Sequence, residues 1–206
     1  NRLKNMTENR SLLKVSSDPF FLFKEWFDEA RAKEINDPNA MNLSTISIDL
    51  KPSSRMVLLK DFNQKGFVFY TNINSKKGTS ITTNPNVSLN FHWKSTLKQV
   101  RIEGLANQVT NQEADQYFNS RQKESRLGAW ASKQSSELKD RKILEEKITF
   151  YKNKFSNIEI VRPPHWTGFR VNPDLIEFWQ DMPFRLHDRL EFKKINDKWT
   201  SKKLFP

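Results

Sequence analysis

Residues 53–72 read SSRMVLLKDFNQKGFVFYTN, and reading them as strand, turn and strand decides the fold. Side chains alternate along a strand, so Arg55, Val57 and Leu59 share one face of the first run, with Met56, Leu58 and Lys60 on the other. The second run is dense in aromatic residues, which favour strands. Between them, Asn63-Gln64-Lys65-Gly66 is the expected hairpin connection. Outward from this pair, MNLSTISI, VSLNFHW and KQVRIEGLANQV repeat the strand pattern, as do GFRV, LIEFWQ and RLHDRLEFKKI further on. Helices are fewer. Asp18-Pro19 opens one with Phe20, Phe23, Phe27 and Ala30 on a stripe. SKKGTSITTNP is a short one, and others are expected over 111–121 and 136–155, the last with Leu138, Ile143, Leu144, Ile148 and Tyr151 at helical spacing. Many short strands with few helices predict a mainly β (α+β) antiparallel barrel. No repeat or low-complexity tract divides the chain, so residues 18–206 are expected to form one domain behind a flexible segment, 1–17.

Composition narrows the functional classes. Among 206 residues there are 35 Lys and Arg against 24 Asp and Glu, a net charge of +11 that favours anionic partners. The absence of Cys excludes disulfides, thiolate metal sites and a cysteine nucleophile. The five glycines stand singly, so there is neither a G-x-G-x-x-G fingerprint nor a P-loop. Any bound phosphate must therefore be held mainly by side chains. No apolar run approaches the roughly 20 residues of a membrane span, and no signal segment opens the sequence. A cytoplasmic protein is the expectation.

Three constellations carry possible chemistry. After the strand end at Tyr70-Thr71, Ser75, Lys76 and Lys77 stand at a helix N-terminus, where hydroxyl, ammonium and free N–H groups suit an anion; a solvated loop would read the same way. Tyr117, Arg121 and Ser125 follow at spacings of four, one face of a continuous helix and suitable donors for a phosphate, although a charged surface helix looks similar. Arg185, His187 and Arg189 alternate at the start of a strand-like run and would share one face, with Leu186 and Asp188 supporting it from behind. A solvated edge strand is the alternative there. His92 and His165, each beside a Trp, are read as structural. Without Cys or a His-x-x-x-His pair, no transition-metal site is expected.

SSRMVLLK, GFVFYTN, NPNVSLNFHW, QVRIEG, YFNSRQKESRLGAWASKQSS, WTGFRVNPDLIEFWQ and RLHDR, in that order, closely resemble the pyridoxine (pyridoxamine) 5′-phosphate oxidases. The resemblance implies a split antiparallel barrel, working as a homodimer with two FMN sites at the subunit interface. It implies an FMN phosphate shell of Arg55, Ser75, Lys76 and Lys77 with Gln134 and Ser135 from the partner subunit. Residues Arg55, Met56, Val57, Leu58, Leu59 and Lys60, with Tyr70 and Thr71, would line the flavin, and Gln99, Trp179 and Arg189 would approach its ring. Lys60, Tyr117, Arg121 and Ser125 would clamp the substrate phosphate, with Arg185 and His187 over the substrate ring as the catalytic pair. The implied reaction moves a hydride from C4′ of pyridoxine or pyridoxamine 5′-phosphate to FMN, forming pyridoxal 5′-phosphate; O₂ reoxidises the flavin and yields H₂O₂, with ammonia released from the amine.

The chain departs from the family pattern in places. Arg2-Leu-Lys-Asn5 lacks the Tyr of the usual Arg-x-x-Tyr lid. Lys76 replaces an Arg, so the bidentate fork is missing there. Asp181 replaces the Gly of FWQG, and Lys203 the Arg of the terminal motif. Three other readings compete: a single-stranded nucleic-acid module, in which exposed aromatics would alternate with basic residues; another split-barrel flavin oxidoreductase; and a vitamer-binding member with weak turnover.

Overall fold

The computed structural model describes residues 18–206, so the lid motif of Arg2 and Asn5 lies outside the described residues. The Asp18 carboxylate accepts a hydrogen bond from the Phe20 N–H at 2.8 Å and caps helix α1, Pro19–Lys33. Pro19 fits the first turn, which needs no N–H from it. Then come β1 (Ala40–Ile46), β2 (Pro52–Leu58), β3 (Asp61–Asn63), β4 (Gly66–Asn72), α2 (Lys76–Thr83), β5 (Asn86–Trp93) and β6 (Lys98–Gln108). Three helices, α3 (Asn111–Ser120), α4 (Lys123–Ala131) and α5 (Arg141–Lys154), precede β7 (Trp166–Gln180), β8 (Asp188–Ile195) and β9 (Lys198–Leu204).

All pairings are antiparallel and run β2-β1-β5-β6-β7-β4-β3, with β8 on β7 and β9 on β8. The mainly β barrel expectation holds. Its organising element is β7, which the sequence pattern divides into two runs. On one side it pairs with β6 along nearly its whole length. On the other, Trp166 to Val171 pair with β4, and Leu175 to Gln180 pair with β8. The change of partner falls at Asn172-Pro173, where Pro has no N–H to give a ladder. Opposite it the β6 register shifts between Glu103 and Gly104. A Cβ on Gly104 would stand 2.1 Å from the Asn172 carbonyl oxygen, so only glycine lets the two backbones approach there.

The hairpin reading needs revision. β2 ends at Leu58 and pairs with β1, while the short β3 supplies the partner of β4 through a turn at Gln64-Lys65. Asn63 Oδ1 accepts from the Lys65 N–H at 2.8 Å, and Gly66 adopts φ 129°. β9 went unread because its alternation, exposed along most of its length, carries no apolar face. Helix α5 starts only at Arg141, where Asp140 caps it, and Ile143 and Ile148 face outward.

The curled sheet wraps an aromatic core. Phe23 of α1, fully buried, meets Phe62 and Phe67 with ring centroids 4.9 Å apart and Phe91 at 5.3 Å. Trp26 meets Phe178 at 5.2 Å. The helix thus plugs the barrel through the predicted stripe, joined by Trp26. Phe23→Ala should lower unfolding free energy by about 3–5 kcal/mol in urea titration; a loss under about 1 kcal/mol would contradict this packing.

Candidate functional site

The turn after β4 folds because Ser75 caps α2: its Oγ accepts from the Gly78 N–H at 3.3 Å and donates to the Asn72 carbonyl at 2.7 Å. The hydroxyl expected to face an anion is therefore engaged in the cap, and Lys76 points to solvent. Lys77 turns inward, 9% exposed, with Nζ 3.2 Å from Gln134 Oε1 and 3.4 Å from Thr71 Oγ1. Thr71 itself donates to Gln134 Oε1 at 3.1 Å. Arg55 lies against β1 and its own strand, donating to Thr45 Oγ1 at 2.8 Å and to Ser53 Oγ at 2.9 Å.

Neither cation has a carboxylate partner among the described residues. Burial lowers the pKa of both, and Arg55 lowers that of Lys77 further. Two neighbouring cations, partly desolvated and uncompensated, favour a bound anion.

Beside them is a cavity of about 390 Å³ that brings together Lys60, Tyr117, Arg121 and Ser125 with Thr71 and Gln134. The helix read over 111–121 ends as expected, with Arg121 the C-cap of α3 at ψ 152°, and a further helix that went unread, α4, begins at Lys123, so Tyr117, Arg121 and Ser125 do not share one continuous helix. The break still delivers all three to one cavity. Arg121 lies over the Trp166 ring, 4.8 Å from its centroid, and its Nη1 is buried without a hydrogen-bond partner. Trp166 stacks on Tyr70 at 5.2 Å, and Tyr70 on Tyr117 at 4.1 Å. Burial above all raises the Tyr70 pKa to about 12, keeping the phenol neutral.

The third constellation lies elsewhere. Gln99, Trp179 and Arg189 stand in register across β6, β7 and β8, and His187 packs on Trp179 with centroids 4.5 Å apart. Thr71 pairs with Thr167, twelve residues before Trp179 on the same strand, or about 40 Å of strand length. The two groups occupy opposite ends of β7, and the 390 Å³ cavity includes no residue of the third.

The strand-face reading of residues 185–189 is corrected in part. β8 begins only at Asp188, because Pro183 and the left-handed residues Phe184 (φ 60°) and Arg185 (φ 62°) break the ladder into a 3₁₀ turn. Arg189 does lie on the strand. His187 Nδ1 sits 3.2 Å from the Met182 N–H and 3.0 Å from Asp181 Oδ1, so the residue in place of glycine contacts the histidine. Leu186, expected to support the strand from behind, is 59% exposed. Also corrected is the partner origin of Gln134: this chain's own Gln134 meets its own Lys77. Ser135, at φ 70°, is exposed beside it.

Residues 27–154 match the family model described as pyridoxamine 5′-phosphate oxidase, and residues 166–206 match the pyridoxine 5′-phosphate oxidase C-terminal dimerisation region. A pyridoxine/pyridoxamine 5′-phosphate oxidase of Caulobacter vibrioides is 54% identical over 189 residues, which is 92% of this chain and 85% of the relative. The chain belongs to the pyridoxine/pyridoxamine 5′-phosphate oxidase family. Among solved structures, PhzG from Burkholderia lata, in complex with tetrahydrophenazine-1-carboxylic acid, superposes with a TM-score of 0.89 at 30% identity, covering 94% of this chain and 95% of PhzG. A pyridoxamine 5′-phosphate oxidase-related, FMN-binding protein of Nostoc punctiforme shares the fold at a TM-score of 0.74 and 14% identity, covering 93% of this chain and all of that one. In this oxidase-family chain, sequence reading passed over two residues, Trp166 at the cavity and Glu177 beside Arg189. Trp166 is signalled by its place opposite Asn72 at the strand end, next to Tyr70. Glu177 is signalled as the one carboxylate inside the apolar run LIEFWQ. Because Leu186 is exposed, Leu186→Asp should change the unfolding free energy by no more than a surface substitution, under about 0.5 kcal/mol in urea titration; a larger loss would restore the buried-face reading.

Proposed function

We propose that the protein is an FMN-dependent oxidase converting pyridoxine 5′-phosphate or pyridoxamine 5′-phosphate to pyridoxal 5′-phosphate in the cytoplasm, as a homodimer with two sites at the subunit interface. One observation carries this reading: two groups of cations without an ion-pair partner among the described residues, Arg55 with Lys77 and Lys60 with Arg121, adjoin across Thr71 and Gln134. Two anionic groups side by side fit a cofactor phosphate and a substrate phosphate. When bound, FMN supplies the two-electron acceptor and passes the electrons to O₂, with H₂O₂ as product and ammonia released from the amine substrate.

The residues of the chain bind and orient. Arg55 and Lys77 hold the FMN phosphate, with Gln134 and Ser135 at its edge, while Lys76 and the buried Ser75 act through charge and through the helix cap. Residues 56–60, Tyr70 and Thr71 line the flavin. Lys60, Tyr117, Arg121 and Ser125 clamp the substrate phosphate, and fixing the substrate there removes much of the entropic part of the barrier. The Tyr70 hydroxyl, neutral at working pH, adds no repelling charge beside two phosphates.

Gln99, Trp179 and Arg189 approach the ring of a flavin, and Arg185 and His187 the substrate ring. Their position at the far end of β7 supports assigning them to the site of the partner subunit, so that each site takes its phosphates on one chain and its ring contacts on the other. Arg185 then favours developing negative charge, and His187, stacked on Trp179, steadies the ring.

PhzG supports a second reading, a related flavin enzyme acting on a different ring system, and the Arg121 clamp argues against it. The test is a peroxide assay on both phosphorylated vitamers and their unphosphorylated forms. We expect a yellow dimer that releases FMN on denaturation and forms peroxide from the phosphorylated substrates alone. In the Arg121→Ala variant KM should rise roughly 10- to 150-fold with FMN content retained, the worth of one charge-assisted hydrogen bond. Equal turnover of phosphorylated and unphosphorylated substrates, or joint loss of FMN, would contradict the assignment.

A further inference from the structure

Glu177 is a charged group to which the reaction as described gives no task. It lies in the second half of β7 between Ile176 and Phe178, both fully buried, and is itself 2% exposed. Two guanidinium groups meet it. Arg189 Nε donates to Oε1 at 2.7 Å, and Arg101 Nη2 stands 3.4 Å from Oε2, an oxygen with no hydrogen-bond partner. In register Glu177 opposes Glu191 and Trp179 opposes Arg189, so the arginine reaches back diagonally across the strand pair. Arg101 also serves Glu103 at 3.2 Å and is more exposed, which leaves Arg189 as the principal partner.

A second anchor fixes the same side chain: Arg189 Nη1 donates to the Phe205 carbonyl at 3.0 Å. With Nε and Nη1 tied, Nη2 has no partner among the described residues, and its N–H groups are left available. Stability does not account for the arrangement, because a buried ion pair is commonly replaceable by apolar side chains without loss. What an ion pair gives and an apolar contact does not is a guanidinium held in one orientation.

We propose that Glu177 is a positioning residue: it clamps Arg189 so that the free edge of the guanidinium is presented to the flavin ring of the partner's site. The proposal rests on the reading of Arg189 as a flavin contact. Consistent with it, the hydrogen bond from Glu177 is the largest cause raising the Arg189 pKa, so the group is held as a cation. A cation beside the flavin favours its electron-rich reduced form. Loosening Arg189 should therefore weaken FMN binding and lower the flavin midpoint potential together.

The experiment titrates FMN into apoprotein dimers by fluorescence quenching and measures the midpoint potential of the reconstituted forms. It uses wild type, Glu177→Gln, Glu177→Asp, Arg189→Ala and the Glu177→Gln/Arg189→Ala pair, with thermal midpoint and sedimentation as controls of fold. Glu177→Gln keeps the shape and removes the charge. Glu177→Asp keeps the charge and withdraws it by one methylene, so the proposal remains testable if one variant folds poorly. We expect both to bind FMN several-fold to tenfold more weakly with an intact dimer, Glu177→Asp, which keeps the charge, to lower the potential as well, and Glu177→Gln to cost nothing further in the Arg189→Ala background. Unchanged affinity and potential in Glu177→Gln, or an equal loss with and without Arg189, would overturn the positioning role. If Arg189→Ala alone left FMN affinity and potential at wild-type values, the flavin-contact reading beneath the proposal would fall with it.

Discussion

The change of partner along β7 is the constraint on which the rest of the structure depends. A fifteen-residue strand gives its first half to β4 and its second half to β8, and the pivot at Asn172-Pro173 against Gly104 makes the exchange possible. Pro173 withholds a ladder hydrogen bond, and Gly104 removes the side chain that would keep the backbones apart. The consequence is spatial. One end of β7 adjoins β4, α2 and the α3–α4 break, where the phosphate-type cations gather. The other end carries Trp179 with its neighbours Gln99 and Arg189. The two groups stand at opposite ends of one strand, and residues 166–206, which carry the second of them, match a dimerisation region.

Electrostatics distinguishes the two ends. At the β4 end, Arg55, Lys77 and Arg121 are partly desolvated and have no carboxylate partner among the described residues; their pKa values fall through burial, and they gain most from an incoming dianion. Aromatic faces hold Arg121 in place of an acid, so its charge is oriented without being neutralised. At the β8 end the cation is already paired: Arg189 has Glu177, and its pKa rises. A paired arginine suits a flavin ring, which offers polar edges and no full charge, whereas unpaired ones suit phosphates.

Much of this was legible in the sequence, for physical reasons. Alternation located β1, β4, β5 and β6 to within a residue or two, because each has one face on a common core, whereas the run read for β2 continued to Phe62, past its end at Leu58 and into β3. The aromatic stripe of α1 was legible for the same reason. Residues 183–187 were not, since the left-handed conformations of Phe184 and Arg185 leave no compositional trace, and the alternation of Arg185, His187 and Arg189 imitates a strand. Helix α4 escaped because it is short and buries only Leu127 and Ala131, too little apolar periodicity to read. β9 has too little apolar periodicity to read. The origin of Gln134 escaped as well: chain position alone does not show that the turn after α4 folds back onto Lys77 of the same chain.

Whether each site is built from both ends of β7 on two different chains is tested most directly by complementation between two crippled chains. Arg121→Ala damages the phosphate end and Arg185→Leu the ring end, and each homodimer should have a low kcat/KM. In a mixed dimer of composite sites, one site collects both defects and the other neither. Random re-association of equal amounts should therefore restore roughly a quarter of wild-type activity, since half of the dimers are mixed and half of their sites are intact. Activity no higher than that of the parent variants, with mixed dimers demonstrated by mass, would mean that each site lies within one chain and would contradict the account.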